Sequence, residues 1–115
     1  MKSVKDFWDD SWRKDVIKLG IKTSNGLSFV YEENDDILGF ICAHDLGFRG
    51  YLSELVVSPK AQNKGVGKKL LLKVEKLLEQ KGCRVVISDV WKSAVKFYEN
   101  SGWSAPDVKL LRKKL

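Results

Sequence analysis

The pattern of apolar and polar residues in the first half of the chain predicts three strands. Residues 27–32 alternate between apolar and polar, residues 37–44 are a β-branched and aromatic run, and residues 51–57 form a third strand-like run. An Asn-Asp-Asp turn at residues 34–36 separates the first two runs, and residues 45–50 form a second turn. Because short turns join neighbouring antiparallel strands, the pattern predicts an antiparallel meander.

A helical period replaces this alternation after the third predicted strand. Gly82 is placed to end the helix, since glycine readily adopts the left-handed conformation found there. Residues 84–88 form an apolar run that predicts a strand buried on both faces, parallel to the third strand through a right-handed crossover. A short helix over residues 94–100 and a last strand over residues 108–115 complete the pattern. The apolar stripe of the long helix consists of Leu70, Leu71, Val74, Leu77 and Leu78.

The N-terminal segment also has helical spacing, and it predicts an amphipathic helix over residues 4–19 that packs an aromatic face on the sheet. The order of elements is then α, three antiparallel strands, α, β, α, β. This order predicts one domain over residues 1–115, a three-layer α/β/α fold built on a mixed sheet. The apolar positions of the first helix are Trp8, Trp12, Val16 and Leu19.

The composition is that of a soluble globular domain: of 115 residues, 43% are hydrophobic and 31% charged. No run approaches the roughly 18 apolar residues of a membrane helix. The charged N-terminus has no signal-peptide pattern. Cys42 and Cys83 lie in apolar runs without metal-ligand spacing. We therefore expect a cytoplasmic protein with buried free thiols, no metal site and no membrane partner.

The segment after the third predicted strand has the pattern Q-x-x-G-x-G, from Gln62 to Gly65 and Gly67. A strand that passes through a glycine loop into a helix presents backbone N–H groups and the positive helix end to an anion, most often a phosphate. The loop is neither a Walker loop nor the dinucleotide fingerprint, because the residues and spacings that define those motifs are missing. Part of the net charge of +6 lies beside it, in Lys60, Lys64, Lys68 and Lys69.

Two segments together resemble the GCN5-related N-acetyltransferases (GNAT), the acetyl-CoA-dependent family. The first is V-V-x-P-x-x-Q-x-x-G-x-G, and the second is A-x-x-F-Y-x-x-x-G-W, about 25 residues further on. The likeness extends over roughly residues 27–103. Trp91 stands where the second motif usually has Asn, and the part before the meander is shorter than is usual in the family. The matching residues are Val56, Val57, Pro59, Gln62, Gly65, Gly67, Ala94, Phe97, Tyr98 and Gly102, with Trp103 at a position usually Phe.

The resemblance implies a sheet that splays to admit acetyl-CoA, which would be the cosubstrate. The strand end pairs with the pantetheine amides, the glycine loop holds the pyrophosphate, and the second motif lines the pantetheine and thiol end of the coenzyme. The shortened N-terminal part implies an open acceptor site or one completed by a partner chain, as in a homodimer. The implied coenzyme-binding residues are Leu55, Val56, Val57, Gln62, Asn63, Lys64, Gly65, Val66, Gly67, Lys68, Ala94 and Phe97.

Two side chains are candidates for the chemistry that the resemblance implies. A lysine-like amine is only about one part in a thousand neutral at pH 7, so acetyl transfer to it needs a base. Glu54 is the candidate base, since a carboxylate is out of pattern in an apolar strand; alternation places it on one face with Leu52 and Val56. Tyr98 is where the family places the proton donor to the departing thiolate. The alternatives are a surface glutamate and an aromatic anchor for the short helix. His44 is expected to have a surface or capping role.

These observations predict an N-acetyltransferase that acts on a primary amine of unknown identity. A module that binds acetyl-CoA without catalysis, or that regulates another protein, is the first alternative. A nucleic-acid-binding domain that uses the net charge of +6 is the second, although neither an aromatic–basic RNA signature nor a recognition-helix pattern is present.

Overall fold

A computed structural model describes residues 22–115, and within them the predicted order of strands and helices is found except for the last strand. The predicted helix over residues 4–19 lies outside the described residues. The elements are β1 (Ser28–Glu33), β2 (Asp36–Asp45), β3 (Gly50–Val57), a 3-10 turn (Pro59–Ala61), α1 (Val66–Gln80), β4 (Val86–Ile87), a second 3-10 turn (Lys92–Ala94) and α2 (Val95–Asn100).

The sheet has the order β1-β2-β3-β4, with antiparallel pairing along the meander and parallel pairing between β3 and β4. Two residues, Asn34 and Asp35, join β1 to β2, with φ angles of 53° and 67°. A two-residue hairpin turn of this kind needs positive φ at both positions, which Asn and Asp tolerate better than most residues. The predicted meander and the predicted parallel crossover are both confirmed.

Helix α1 lies on one face of the sheet and buries the predicted apolar stripe. Its close approach depends on two strand glycines. A Cβ at Gly39 would lie 2.9 Å from Cδ1 of Leu70, and one at Gly50 would lie 2.6 Å from Cδ1 of Leu78. Since protein interiors are close-packed, larger residues at these positions would push the helix off the sheet.

The end of α1 is the glycine stop that the sequence predicts. Gly82 has φ +100°, and its N–H donates to the carbonyl of Glu79 over 3.0 Å. The N–H of Cys83 donates to the carbonyl of Leu78, also over 3.0 Å. These two bonds form a Schellman motif, which satisfies carbonyls that the last turn would otherwise leave open. Cys42 and Cys83 form no disulfide and both are buried, as predicted.

Strand β3 contains a bulge, which corrects the predicted alternation. Cys42 is opposite Glu54 whereas Ala43 is opposite Leu52, so Ser53 is an extra residue in β3. Leu52 is buried in the core beneath α1, and Leu55 packs against the same core. Two residues three positions apart share that face only because the bulge shifts the period by one. The prediction that Leu52 shares a face with Glu54 is therefore wrong.

Two further expectations for the C-terminal half are wrong. Strand β4 has only two residues, both half-buried, and the preceding Val85 is 56% exposed, so the strand is not buried on both faces. Residues 108–115 form no strand, and Leu111 in this tail is 88% exposed. The apolar positions of the tail do not alternate consistently, and its cations favour solvent. No helix within residues 22–115 is both long and apolar enough to cross a membrane.

Candidate functional site

Strands β3 and β4 separate soon after they pair. Their parallel ladder consists of Gly50 opposite Val86 and Tyr51 opposite Ile87. One more link follows, in which the Ser88 hydroxyl donates to the carbonyl of Leu52 over 2.8 Å. The rest of β3 is paired with β2 alone, so the edge that carries Leu55, Val56 and Val57 faces the gap between the two strands. An open strand edge offers N–H and C=O groups to an extended amide-containing ligand.

Glu54 is half-buried immediately after the bulge, on the face of the sheet opposite α1. Burial raises the pKa of its carboxyl above the ordinary value, and the negative charge of Asp89 raises it further. No described residue forms a salt bridge with Glu54. A partly desolvated carboxylate without a cation accepts protons more readily than an exposed one.

Asp89 and Tyr51 lie beside Glu54, and neither was among the site residues predicted from the sequence. The Tyr51 hydroxyl donates a hydrogen bond to Oδ1 of Asp89. Burial and this bond to a carboxylate raise the pKa of Tyr51 to about 12. A signal was present in the sequence, because Asp89 follows an apolar run that was predicted to lie parallel to the strand of Tyr51 and Glu54.

Tyr98 on α2 is brought to the same place from another element. Its ring is held edge-on by Phe97 and Trp103, with centroids at 5.1 and 5.0 Å. Burial raises the pKa of the Tyr98 phenol, and the charge of Glu54 raises it further. Tyr98 therefore keeps its proton at neutral pH and is available as a hydrogen-bond donor close to Glu54.

A hydrogen-bonded chain supports the bulge from β2. The Ser53 hydroxyl donates to the carbonyl of Cys42 over 3.0 Å, and Nε2 of His44 lies 3.0 Å from the same hydroxyl oxygen. Because serine has one proton and donates it to the carbonyl, the imidazole must be the donor in the second contact. His44 is half-buried and holds the bulge, rather than capping a strand at the surface.

The loop between β3 and α1 divides its backbone amides into two groups. The N–H groups of Ala61, Gln62 and Lys64 donate to carbonyls within the turn. Amides without a hydrogen-bond partner among the described residues belong to Asn63, Gly65, Val66, Gly67 and Lys68. The first turn of α1 has neither a side-chain cap nor an acidic residue. Such a helix start is suited to an anion. The amides of Gln62 and Lys64 are already used within the turn, so they are not among the N–H groups that can bind an anion at the loop.

The two loop glycines have different structural roles. Gly65 precedes α1 with φ +79°, and a Cβ there would meet nothing within 4 Å, so the space beside it is open. Gly67 is buried, and a Cβ there would lie 3.2 Å from both Cζ of Phe97 and Cγ2 of Val57. Gly65 is therefore required by backbone conformation, whereas Gly67 is required by packing.

The four lysines near the loop also differ in what they contact. Lys60 lies 3.4 Å from Oδ2 of Asp36, and the ammonium of Lys69 lies over the ring of Tyr31. Lys64 and Lys68 are exposed and have no ion pair or aromatic partner within residues 22–115. These two lysines are the cations available to an anion at the loop.

The second motif approaches the loop through Phe97, and Ala94 is the one half-buried residue of the turn Lys92–Ala94 before α2. Trp91, at the position that is usually Asn, is 84% exposed. No group of three or more His, Cys, Asp or Glu side chains suited to a metal ion occurs in the described part of the chain.

Comparison with known proteins decides the family. The model of the acetyltransferase (GNAT) family matches residues 2–103. The chain belongs to the GNAT family. The mixed sheet with its helices is accordingly the GNAT fold, as the sequence predicts.

The relatives include enzymes that act on amino sugars. A glucosamine 6-phosphate N-acetyltransferase of Trypanosoma brucei brucei is 34% identical over 56 residues, which cover 49% of this chain and 38% of that protein. An aminoglycoside N-acetyltransferase solved in complex with CoA is 25% identical, with a TM-score of 0.66 and coverage of 76% and 75% of the two chains. An aminoglycoside acetyltransferase from an uncultured soil metagenomic sample, solved with sisomicin, is 21% identical, with a TM-score of 0.67 and coverage of 76% and 64%. This chain thus spans less than two thirds of the length of the first and third of these proteins.

Proposed function

We propose that this protein transfers the acetyl group of acetyl-CoA directly to a primary amine. The observation that carries the proposal is the arrangement of three features along strand β3. The strand has an open edge, it ends at a loop with unpartnered amides, and it places Glu54 beside Tyr98. Family membership and the relative solved with CoA support the same activity.

The coenzyme would bind along β3 and end at the loop. Leu55, Val56 and Val57 offer backbone groups to the pantetheine amides, in the way that an added strand pairs with a sheet edge. The amides from Asn63 and from Gly65 to Lys68 would hold the pyrophosphate, with Lys64 and Lys68 screening its charge. Phe97, which lies against Gly67 near Val57, and Ala94 would line the pantetheine arm. The open space at Gly65 fits a bulky anion close to the backbone.

Glu54 would act as the base. The ammonium form of the acceptor has no lone pair, so its proton must leave before nitrogen can attack the thioester carbon. The Glu54 carboxylate accepts that proton directly or through one water. A backbone N–H in the bulged segment would polarise the thioester carbonyl.

Tyr98 would serve the departing sulfur. A phenol with an ordinary pKa near 10 is a weaker acid than a thiol near 8.5, so complete proton transfer is uphill by about 2 kcal/mol. Its raised pKa makes full transfer still less favourable. Tyr98 therefore acts mainly by donating a hydrogen bond to the thiolate as negative charge develops.

The acceptor is a primary amine, and the names of the relatives support amino sugars as the first compounds to test. We place the reaction in the cytoplasm, in keeping with two buried cysteines that form no disulfide. The predicted homodimer stays a prediction, which light scattering of the purified protein will test.

Calorimetry with acetyl-CoA and free CoA tests the coenzyme site. We expect the wild type and Gly26→Glu to bind and Gly65→Glu not to bind. The control is matched, since Gly26 also has positive φ and open space beside it, yet precedes β1. Binding that survives Gly65→Glu would show the loop assignment to be wrong.

Acetylation of a panel of amino sugars, polyamines, amino acids and peptides tests catalysis. Coenzyme binding without acetyl transfer to any of these amines would favour the non-catalytic module.

A further inference from the structure

The hydrogen bond between Tyr51 and Asp89 lies at the point where β3 and β4 separate. Tyr51 is opposite Ile87 in the last residue pair of the parallel ladder, and Asp89 follows Ile87 by two positions along the chain. The chain thus leaves the sheet after β4, while the carboxylate of Asp89 stays hydrogen-bonded to Tyr51 of β3.

The segment that carries Asp89 is held by two consecutive residues. Ser88 donates its hydroxyl proton to the carbonyl of Leu52, and Asp89 accepts from Tyr51. Each bond joins the end of β4 to a different residue of β3. Two such restraints fix the direction of the Asp89 side chain better than either one alone, as supporting hydrogen bonds do for functional groups in general.

Glu54 follows Tyr51 by three positions on the same strand, beyond the bulge at Ser53. Because Leu52 and Leu55 both face the core, their neighbours Tyr51 and Glu54 share the opposite face of the sheet, which is where the Tyr51 hydroxyl holds Asp89. The titratable groups around Glu54 come from each neighbouring element. Asp89 faces Glu54 from the end of β4, and Tyr98 faces it from α2. Tyr51 lies on β3 itself. On β2, Cys42 is opposite Glu54, and His44 contacts the bulge residue Ser53. No lysine or arginine among residues 22–115 forms a salt bridge with Glu54.

We propose that Asp89 is a positioning residue for Glu54, and that the hydrogen bond from the Tyr51 hydroxyl holds the Asp89 carboxylate on the side of the sheet where Glu54 acts as the base. This inference rests on the proposed function. In the step concerned, the N–H bond of the acceptor ammonium breaks, an O–H bond forms on Glu54, and the proton later leaves to solvent. Asp89 and Tyr51 exchange no proton with the substrate.

The direction of the electrostatic effect supports this assignment. The Asp89 charge raises the pKa of the Glu54 carboxyl, and it does so from the open side of the sheet, where burial alone is incomplete. A base is most effective when its pKa approaches the working pH. A second carboxylate near Glu54 therefore strengthens the base without burying it more deeply, which would close the site to the acceptor.

The test combines three variants with two matched controls. Asp89→Asn removes the charge and keeps the shape, Tyr51→Phe removes the bond, and Asp89→Glu keeps the charge. Asp107→Asn and Tyr31→Phe make the same chemical changes at positions outside the site. The measurement is the pH dependence of kcat and of kcat/KM for an accepted amine.

We expect Asp89→Asn to move the acidic limb of the profile to lower pH. The plateau kcat should fall about 3- to 30-fold, less than the roughly 10²-fold or greater loss when a base is removed altogether. Tyr51→Phe should shift the limb in the same direction by a smaller amount. Asp89→Glu and both controls should keep the wild-type limb.

A second measurement separates this inference from the proposed function. Carbon-13 NMR of glutamate side chains follows the titration of Glu54, whose signal is identified by its loss in Glu54→Gln, and it requires no turnover. A Glu54 midpoint that is equal in the wild type and Asp89→Asn would overturn the inference, whether or not acetyl transfer is found. A higher KM for the amine with an unshifted limb would overturn it too, because Asp89 would then contact the acceptor. If Asp89→Asn fails to fold, Tyr51→Phe decides: a midpoint identical to that of the wild type would overturn the role given to the Tyr51 hydroxyl.

Discussion

Phe97 lies against Gly67 so closely that a Cβ added at the glycine would be 3.2 Å from Cζ of the ring. This contact joins the start of α1 to α2, and hence the glycine loop to the second motif. The ring of Phe97 in turn packs edge-on against Tyr98. A change at Gly67 therefore reaches the proposed proton donor as well as the loop.

We predict that Gly67→Val destabilises the protein by about 2 kcal/mol, because the added atoms overlap both Phe97 and Val57. Gly67→Ala should cost less, since the better helix propensity of alanine offsets part of the strain. Urea unfolding at neutral pH measures both. The coupling is tested in a double-mutant cycle: the cost of Gly67→Val should be smaller in a Phe97→Ala background. Equal costs in the two backgrounds would mean that the contact with Phe97 carries no strain.

Local patterns were enough to predict most of the fold. The hairpin at Asn34 and Asp35, the stripe of α1 and the stop at Gly82 depend on residues close together in the chain. The parallel pairing of β3 and β4 follows from the helix between them, because a helical crossover returns the chain to the end of the sheet where β3 began. The tail at residues 108–115 was mispredicted because apolar content alone does not supply a partner strand.

The site could be predicted only in part, since two of its features depend on register. An extra residue at Ser53 has no glycine or other marker in the sequence, yet it decides which face Glu54 occupies. The Tyr51–Asp89 bond joins residues 38 positions apart, and it forms only because Tyr51 is opposite Ile87. The role of Gly67 was likewise set by packing against α2, which the spacing of the motif did not indicate.

We predict that Tyr98→Phe lowers kcat by about 10² and leaves the affinity for acetyl-CoA nearly unchanged. The ring contacts with Phe97 and Trp103 remain in this variant, so the fold should persist. Steady-state kinetics and calorimetry measure the two effects. Tyr31→Phe is the control, because Tyr31 packs against the core on the face of the sheet opposite Glu54, and it should behave as the wild type. Unchanged turnover in Tyr98→Phe would exclude a role for the hydroxyl at the leaving sulfur.

Asp45 gives a prediction about stability and pH away from the site. Its Oδ1 accepts the N–H of Gly47 over 2.8 Å and the thiol of Cys83 over 3.3 Å. The Gly47 bond and then the Cys83 bond lower the pKa of Asp45 below 3.8. A carboxylate whose pKa is lower in the folded state stabilises the folded protein at pH values above its unfolded pKa. This stabilisation is lost as the pH falls through the folded pKa.

We therefore expect Asp45→Asn to lower the Tm at pH 7, and the deficit to shrink as the pH approaches 3. Asp107→Asn is the control with the same chemical change in the exposed tail. Differential scanning calorimetry from pH 3 to pH 8 measures both variants. A deficit that is independent of pH would mean that the contacts of Asp45 do not depend on its charge.

We expect the ionised Glu54 carboxylate to destabilise the folded protein although it is needed for activity, and Glu54→Gln separates the two effects. Burial and then the Asp89 charge raise the folded pKa of Glu54 above its unfolded value of about 4.5. The folded state therefore binds more protons between the two pKa values, and the charged carboxylate destabilises the fold at all pH values above the folded pKa. Below the unfolded pKa both states are protonated, and the destabilisation disappears. Glu54→Gln should accordingly raise the Tm at pH 7 and leave it close to the wild-type value near pH 3.

The same variant should lose about 10²- to 10⁴-fold in kcat, since it removes the proposed base. Binding of acetyl-CoA should be retained, because Glu54 is not part of the loop that would hold the pyrophosphate. Glu79→Gln on the exposed face of α1 is the matched control and should change neither kcat nor Tm. Opposite changes in stability and activity are typical of groups kept in place for catalysis. A Glu54→Gln variant that loses stability and activity together would instead identify Glu54 as a structural residue of the sheet.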